Sequence, residues 1–291
     1  MSRFVVSVIQ MAMSARESEN IEQAVSLVEE AAQQGAELAV LPELFTSLYF
    51  CQEQDANWFA SARRFPGDPL FELFQALARR RRIAIVLSFF ERQATNYFNS
   101  ATVVDHTGTL LGRYRKSHIP DSPGYLEKYY FTPGNTGFQV FDLGGLHVGV
   151  GICWDQWFPE QARALVLAGA DLVVYPTAIG SEPSDPDLDS RDHWRRVMVG
   201  HAAANLVPVA AANRVGIESS STSTIQFYGS SFITDTRGGL LISADTKSGV
   251  YLASIDPELA RRERDSWGIF RDRRPDLYGS LSDTFPIAGT F

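Results

Sequence analysis

Apolar residues follow two kinds of spacing along the chain, and each kind predicts a different element. Continuous or alternating apolar runs predict strands at residues 4–10, 38–41, 83–90, 98–104, 109–114, 148–152, 172–175, 207–212, 227–234 and 250–255. Apolar residues every three or four positions predict helices at residues 17–34, 69–82, 159–168 and 191–205. Residues 261–281 are rich in arginine, aspartate and aromatic side chains, and we expect an irregular arm there.

Strands and helices alternate from one end of the chain to the other, which predicts an α/β fold. The runs 38–41 and 148–152 are apolar on both faces, so helices are expected on both sides of the sheet. We find no linker, low-complexity tract or internal repeat. The sequence therefore predicts one domain over residues 1–291, in which the arm 261–291 packs against a partner subunit.

Composition and charge narrow the function classes. The chain has 291 residues, of which 45% are hydrophobic, and 26 basic against 34 acidic residues give a net charge of −8. An acidic chain does not favour nucleic acid or an anionic membrane as its main partner. Four consecutive arginines at 79–82 are better explained as the cationic end of a helix. No apolar run is long enough to span a membrane, and no export signal is evident, so two reduced cysteines in the cytoplasm are expected.

Three reactive side chains share one kind of position. Glu43, Lys116 and Cys153 each come shortly after the last residue of a predicted strand. In α/β sheets that edge is where ligands and catalytic groups collect. Alone, a buried Glu or Lys is more often half of a structural ion pair. Together they supply a nucleophile, a base and a cation for acyl transfer, and the preceding glycines are expected to let a tight turn present the thiol of Cys153.

Other reactive residues give weaker signals. The five histidines, at 106, 118, 147, 193 and 201, form no close metal-ligand pair, which favours structural roles over a zinc site. Cys51 is most simply explained as a small buried apolar residue. Glycines at 149 and 151 lack the rest of a dinucleotide-binding motif. We therefore expect no metal and no organic cofactor.

The segments LPELF, YRKSHIP and GICWDQWFPE, which contain Glu43, Lys116 and Cys153, resemble the signatures of the nitrilase superfamily of carbon–nitrogen hydrolases. The resemblance extends over essentially the whole chain. It implies an α-β-β-α sandwich that forms homo-oligomers through a sheet-on-sheet dimer of two four-layer subunits. It also makes Cys153 the nucleophile, Glu43 the general base and Lys116 the cation that holds the oxyanion, together with the backbone N–H after Cys153. Glu127, in LEKYYF, matches a second acidic residue that positions Lys116 or the substrate.

Within the superfamily, the segments CWDQWFPE, YPTAIGSEP and DSRDHWRRVM are most similar to members that hydrolyse N-carbamoylputrescine, a step in putrescine formation. Members that cleave N-carbamoyl amino acids carry arginines after the nucleophile, whereas residues 154–158 include none. Segment 180–192 is acidic and could meet an ammonium tail, although a solvated loop is the simpler explanation for any single member. Its carboxylates are Glu182, Asp185, Asp187, Asp189 and Asp192.

Glu182 is the best candidate for the substrate ammonium because it lies nearest the strand end at Tyr175. The remaining expected substrate contacts are Tyr49, Trp154, Gln156 and Trp157. Two alternatives stay open: another amidase of the superfamily, acting on an ω-amide or an N-carbamoyl β-amino acid, and a catalytically silent scaffold member. Three retained reactive residues argue against the scaffold.

Overall fold

Two six-stranded sheets pack face to face, and two helices cover the outer face of each. The computed structural model describes residues 3–283. In chain order, the strands of that range are β1 (Phe4–Gln10), β2 (Leu38–Val40), β3 (Ala84–Gln93), β4 (Asn96–Val104), β5 (Leu110–Arg115), β6 (Gln139–Asp142), β7 (His147–Val150), β8 (Leu172–Thr177), β9 (Val209–Asn213), β10 (Val215–Ser219), β11 (Thr224–Tyr228), β12 (Phe232–Thr234), β13 (Leu240–Ser243) and β14 (Gly249–Ile255). Its helices are α1 (Glu17–Gln33), α2 (Pro69–Arg81), α3 (Pro159–Leu167), α4 (Arg191–Asn205) and α5 (Pro257–Trp267).

The two sheets share one design, with parallel strands in the middle and antiparallel strands outside. The first sheet has the order β14-β1-β2-β3-β4-β5, and the second has the order β13-β12-β9-β8-β7-β6. Strands β1, β2 and β3 run parallel, as do β7, β8 and β9. Strand β5 also runs in the direction of β3, since both are antiparallel to β4. Parallel strands end at one edge, so side chains that follow β2 and β5 lie along the same edge of the first sheet.

Alternation along the strands divides the core into three layers. Val6 and Val8 of β1 face the second sheet, whereas Ile9 packs against the helices α1 and α2. The second sheet does the same: Val174 points toward the first sheet, and Val173 packs against α3 and α4. Because successive strand residues point to opposite faces, apolar runs such as these require cover on both sides. The predicted α-β-β-α sandwich is confirmed.

Helix ends follow local rules that are visible in the sequence. The Asp68 carboxylate accepts the Leu70 N–H at 3.0 Å, and Pro69 occupies the first position of α2. The arginine run ends that helix, and Arg80 and Arg81 both pair with Glu29 of α1. The interpretation of the run as a helix terminus is confirmed. No helix within residues 3–283 has the length and apolarity that crossing a membrane requires.

The predicted strand 227–234 is wrong as one element, since the chain turns in its middle. Gly229 and Ser230 both have positive φ, at 59° and 55°. This turn sends β11 into a separate two-stranded sheet with β10, while β12 joins the second sheet. The local signal for this break is the Gly229-Ser230-Ser231 cluster between the two apolar pairs, because glycine and serine favour turns.

The predicted irregular arm is partly wrong, because it begins inside a helix. Helix α5 extends to Trp267, with Asp256 accepting the Leu259 N–H at its start and Gly268 at φ 79° at its end. Short helical turns follow at Pro275–Leu277 and Gly279–Ser282. Residues 284–291 of the predicted arm lie outside the described residues.

Candidate active site

A buried lysine between two carboxylates forms the centre of the site. Lys116 follows β5, and its Nζ lies 2.8 Å from Glu43 Oε1 and 2.7 Å from Glu127 Oε2. The hydroxyl of Tyr49 donates to Glu127 Oε1 at 2.7 Å. All four residues are buried. The three charged groups predicted from the sequence therefore meet, at hydrogen-bonding distance, at the carboxyl edge of the first sheet.

Glu43 is fixed through its side chain and its backbone. Asn99 Nδ2 donates to Glu43 Oε1 at 2.7 Å, while Glu43 Oε2 has no hydrogen-bond partner among residues 3–283. Arg214, at the end of β9 in the second sheet, donates to the backbone carbonyls of Glu43 and Leu44. One carboxylate oxygen is thus held in place, and the other is free to accept a proton.

Cys153 opens a short helical turn, Cys153–Trp157, directly after β7. Its own φ is 41°, so the nucleophile candidate itself carries the left-handed backbone. The sequence predicts that the preceding glycines provide that freedom. Instead Gly151 is required by close packing, since a Cβ there would lie 2.6 Å from Gln161 Oε1 and overlap the Tyr175 ring.

The thiol of Cys153 is buried and bonded weakly. Its Sγ donates to the Ala178 carbonyl, at 3.7 Å. Burial raises the pKa of Cys153 well above its usual range, and Glu43 raises it further, while Lys116 opposes both. The resting thiol is therefore protonated at neutral pH, and attack requires a base that removes its proton.

The charges of Lys116 and Glu127 depend on each other. Burial lowers the pKa of Lys116, but Glu127 and Glu43 outweigh it and raise that pKa well above its usual range. Burial raises the pKa of Glu127 to about 7, against the opposing effect of Lys116. Lys116 thus remains a cation throughout the neutral range.

A cavity of about 340 Å³ opens onto the thiol. Its lining is mostly apolar and aromatic, and it includes two carboxylates, the buried Glu127 and the half-buried Glu182. The lining residues are Pro120, Ser122, Tyr125, Glu127, Cys153, Trp154, Trp157, Ala178, Ile179, Glu182, Leu188, Ser190 and His193. No Lys or Arg is among them. Burial raises the pKa of Glu182 above its usual range.

Two expected substrate contacts lie behind the cavity wall. Tyr49 is buried, and its hydroxyl bonds Glu127. Gln156 is also buried: its Nε2 donates to the Cys153 carbonyl, and its Oε1 accepts from Trp194. Both side chains support catalytic candidates from outside the cavity, which differs from the sequence expectation.

Several residues at or beside the site were not predicted from the sequence, among them Tyr125, His193, Asn99 and Asp155. Tyr125 and His193 line the cavity, Asn99 bonds Glu43, and the buried carboxylate of Asp155 bonds the Cys153 turn. Asp155 lies inside the CWDQWFPE segment, so its position next to the nucleophile was the available signal. Asn99 gave none, because its contact spans 56 residues of chain. Of the acidic segment, Asp185, Asp187, Asp189 and Asp192 are exposed and do not line the cavity.

Comparison with known proteins identifies the family of this chain. Residues 5–265 match the family model for carbon–nitrogen hydrolases. The N-carbamoylputrescine amidase of Arabidopsis thaliana is 52% identical, over 95% of this chain and 94% of that protein. The citrullinase of Francisella tularensis is 47% identical, over 97% of this chain and 99% of that protein.

Solved structures agree with the sequence relatives. A crystal structure of a carbon–nitrogen hydrolase from Helicobacter pylori has a TM-score of 0.91 and 36% identity, over 98% of this chain and all of that one. The family match, the full-length relatives and this solved structure all agree with the two-sheet sandwich described above. The chain therefore belongs to the carbon–nitrogen hydrolase family of the nitrilase superfamily.

Proposed function

We propose that the protein is an amidohydrolase that converts N-carbamoylputrescine and water to putrescine, ammonia and carbon dioxide. The observation that favours this substrate is the lining of the cavity. It includes two carboxylates, Glu127, which pairs with Lys116, and Glu182, but no Lys or Arg, and the rest of the wall is mostly apolar. A four-carbon chain fits such walls, and its terminal ammonium would pair with Glu182. Tryptophans 154 and 157, with ring centroids 6.1 Å apart, add faces that attract a cation.

The first step makes a covalent intermediate. Glu43 takes the proton of the Cys153 thiol, and the sulfur attacks the ureido carbon to form a tetrahedral adduct. The C–N bond to the diamine then breaks, the proton passes from Glu43 to the departing nitrogen, and a carbamoyl thioester remains on Cys153. The unpartnered Oε2 of Glu43 supports this role, because a proton acceptor needs a free lone pair.

Charge develops on the ureido oxygen in both tetrahedral adducts. Lys116 supplies a fixed cation, and the first turn of the Cys153–Trp157 helix supplies the backbone N–H of Trp154, which has no partner within its own turn. Preorganised donors of this kind contribute about 3 kcal/mol each to transition-state stabilisation. Glu127 keeps Lys116 charged and in place, since it receives two hydrogen bonds from it.

Water completes the reaction. Glu43 takes a proton from a water molecule, the hydroxide attacks the thioester, and the thiol of Cys153 leaves with that proton. The released carbamic acid decomposes to ammonia and carbon dioxide. The steps use only the side chains, the Trp154 N–H and the water named here.

The relatives support this substrate and identify the competing one. N-carbamoylputrescine and citrulline both present a ureido group, but citrulline ends in a carboxylate beside its ammonium. A carboxylate next to Glu182, with no basic residue in the cavity wall, would be repelled and poorly solvated. We therefore expect citrulline to be a poorer substrate than N-carbamoylputrescine.

We also propose a cytoplasmic enzyme of polyamine synthesis that works as a homo-oligomer. Both cysteines are free, which suits a reducing compartment. The C-terminal segment exposes Trp267, Leu277 and Leu281, each by more than 60%. Exposed apolar side chains on one segment support contact with a second copy of the chain. Sedimentation of the purified protein tests this, and a monomer at all concentrations would contradict it.

The substrate is tested by ammonia release from a panel. N-carbamoylputrescine, citrulline, N-carbamoyl-β-alanine and a neutral ω-amide would be compared at equal concentrations. We expect kcat/KM for N-carbamoylputrescine to exceed each of the others by about a hundredfold, the value of one desolvated charge pair. A higher value for citrulline or for the carbamoyl acid would overturn the proposed substrate.

A further inference from the structure

A carboxylate outside the proposed catalytic set collects donors from both sheets. Asp155 is fully buried and lies two residues after Cys153. From the nucleophile turn, the Ile152 N–H donates to its Oδ2 at 2.9 Å. Across the sandwich, the His118 N–H and Nδ1 meet its Oδ1 at 3.1 and 2.8 Å, and the Tyr114 hydroxyl donates to its Oδ2 at 2.8 Å.

The two donor segments are those that carry the reacting groups. Tyr114 lies two residues before Lys116 and His118 lies two residues after it, at the end of β5 in the first sheet. Ile152 directly precedes Cys153, at the end of β7 in the second sheet. Asp155 thus ties the strand end that holds the cation to the strand end that holds the thiol.

We propose that Asp155 is a positioning residue that fixes the Lys116 segment against the Cys153 turn, and so sets the geometry of thiol and cation. The proposal rests on the roles given above to Cys153 and Lys116. It goes beyond a local helix cap, because three of the four donors come from a segment 37 to 41 residues away.

An asparagine in place of Asp155 could not accept the same hydrogen bonds. Each oxygen of Asp155 receives one backbone N–H: that of Ile152 on Oδ2 and that of His118 on Oδ1. Backbone donors cannot become acceptors, so the NH₂ group of an asparagine would face a backbone N–H in either orientation. One of the two segments would then lose its anchor.

Loss of either backbone hydrogen bond to Asp155 should change the reactivity of the Cys153 thiol. Lys116 lowers the pKa of Cys153, against burial and Glu43, which raise it. A Lys116 segment that moves away removes this favourable charge, so the thiol becomes less reactive even without substrate. Reactivity of the thiol toward iodoacetamide therefore reports the geometry independently of the natural reaction.

The chain contains a matched control. Asp171 is also buried, and it also receives the N–H and Nδ1 of one histidine, His147, at 3.1 and 3.0 Å. Arg261 and Arg264 also form ion pairs with its carboxylate. Asp171 precedes β8 and His147 begins β7, so this cluster lies at the edge opposite Cys153. Asp171→Asn should weaken folding in a similar way but leave the reacting groups undisturbed.

The experiment compares Asp155→Asn and Asp171→Asn, both in a Cys51→Ala background with a single thiol, at a temperature where both remain folded. For Asp155→Asn we expect kcat to fall about tenfold or more, with KM within about threefold and alkylation of Cys153 at least about fivefold slower. For Asp171→Asn we expect kcat and alkylation within about twofold of the parent protein, although its unfolding midpoint falls.

Equal losses in the two variants, or unchanged kcat and alkylation in Asp155→Asn, would overturn the proposal. If Asp155→Asn does not fold, Tyr114→Phe provides the test, because it removes one donor to Asp155 and leaves the Ile152 and His118 N–H bonds to Asp155 in place. It also removes the hydroxyl that accepts from the Ser117 N–H and from Gln161 Nε2. It should slow both alkylation and turnover by about threefold or more, and unchanged rates would overturn the proposal. The alkylation rate does not depend on the natural substrate. If the proposed substrate is wrong, alkylation of Asp155→Asn is still slower, whereas if the role of Asp155 is wrong, alkylation is unchanged.

Discussion

At the scale of single residues, the two cysteines show how position decides reactivity. Burial raises the pKa of both thiols well above the usual range. Only Cys153 borders the cavity, whereas Cys51 is packed among aromatic residues with no access to it. A thiol needs both a base and a substrate in reach, so exposure to the cavity separates the nucleophile from the structural residue.

Replacing each cysteine by alanine tests this difference. Cys153→Ala should abolish ammonia release and keep the wild-type circular dichroism spectrum, because one sulfur atom at the cavity edge contributes little to packing. Cys51→Ala, the matched control, should retain turnover within about twofold, with a small loss of stability from the cavity it leaves. Similar losses of turnover in both variants would mean that the nucleophile is wrongly assigned.

Glu43→Gln separates a base from a simple charge. The negative charge of Glu43 helps raise the pKa of Cys153, so its removal should lower that pKa and speed alkylation of the thiol at pH 8. Turnover should nevertheless fall by about a hundredfold or more, because no group remains to accept the proton. Alkylation rates and kcat would be measured on the same preparation. A variant that keeps its turnover would exclude Glu43 as the base.

At the scale of elements, the acidic loop between β8 and α4 brings one carboxylate inward and leaves the others in solvent. The loop is fastened at its start, where the Tyr125 hydroxyl accepts the Gly180 N–H and donates to the Ser181 carbonyl. At its end, the Ser190 N–H donates to the Tyr228 hydroxyl. These anchors place Glu182 at the cavity, while Asp185 points to solvent three residues later.

Glu182→Gln and Asp185→Asn form a matched pair within this loop. Glu182→Gln keeps the shape of the side chain but removes its charge, which should cost about 2–4 kcal/mol in kcat/KM for N-carbamoylputrescine. A neutral analogue that ends in a methyl group should lose little. Asp185→Asn should change neither substrate by more than about twofold, since exposed charges contribute little. Equal losses of Glu182→Gln on both substrates would indicate a structural carboxylate.

Elements with a continuous apolar pattern were predictable, and those defined by distant contacts were not. The central strands and helices α1 to α4 follow from local spacing, and the reactive residues from their place after strands. Strands β13 (LLIS) and β6 (QVFD) contain only three and two consecutive apolar residues. Runs this short do not distinguish a strand from a loop. The inward direction of Gln156 also has no local signal, because it depends on Trp194 from another helix.

At the scale of the whole molecule, the site depends on contacts between the two sheets. Arg214 extends from β9 of the second sheet to three carbonyls of the segment after β2, at Glu43, Leu44 and Ser47. Glu218 balances its charge at 2.9 Å. The two sheets therefore hold the base in place jointly, and loosening them should affect folding and catalysis together.

Arg214→Met tests this coupling. The change leaves Glu218 buried without its partner and frees three carbonyls, so the free energy of unfolding should fall by about 3–5 kcal/mol, and kcat should fall with it. Adding Glu218→Gln should recover part of the stability, because the unpaired charge is removed, but not the activity. Urea denaturation and ammonia release measure both effects. Full activity in Arg214→Met would show that Glu43 keeps its place without this contact.

The proposed reaction depends on a covalent intermediate on Cys153. Mass spectrometry of protein quenched during turnover of N-carbamoylputrescine tests it most directly. One added carbamoyl group is expected on the peptide that contains Cys153, present in Cys51→Ala and absent in Cys153→Ala. An adduct on Cys51, or rapid turnover with Cys153 replaced by alanine, would contradict it.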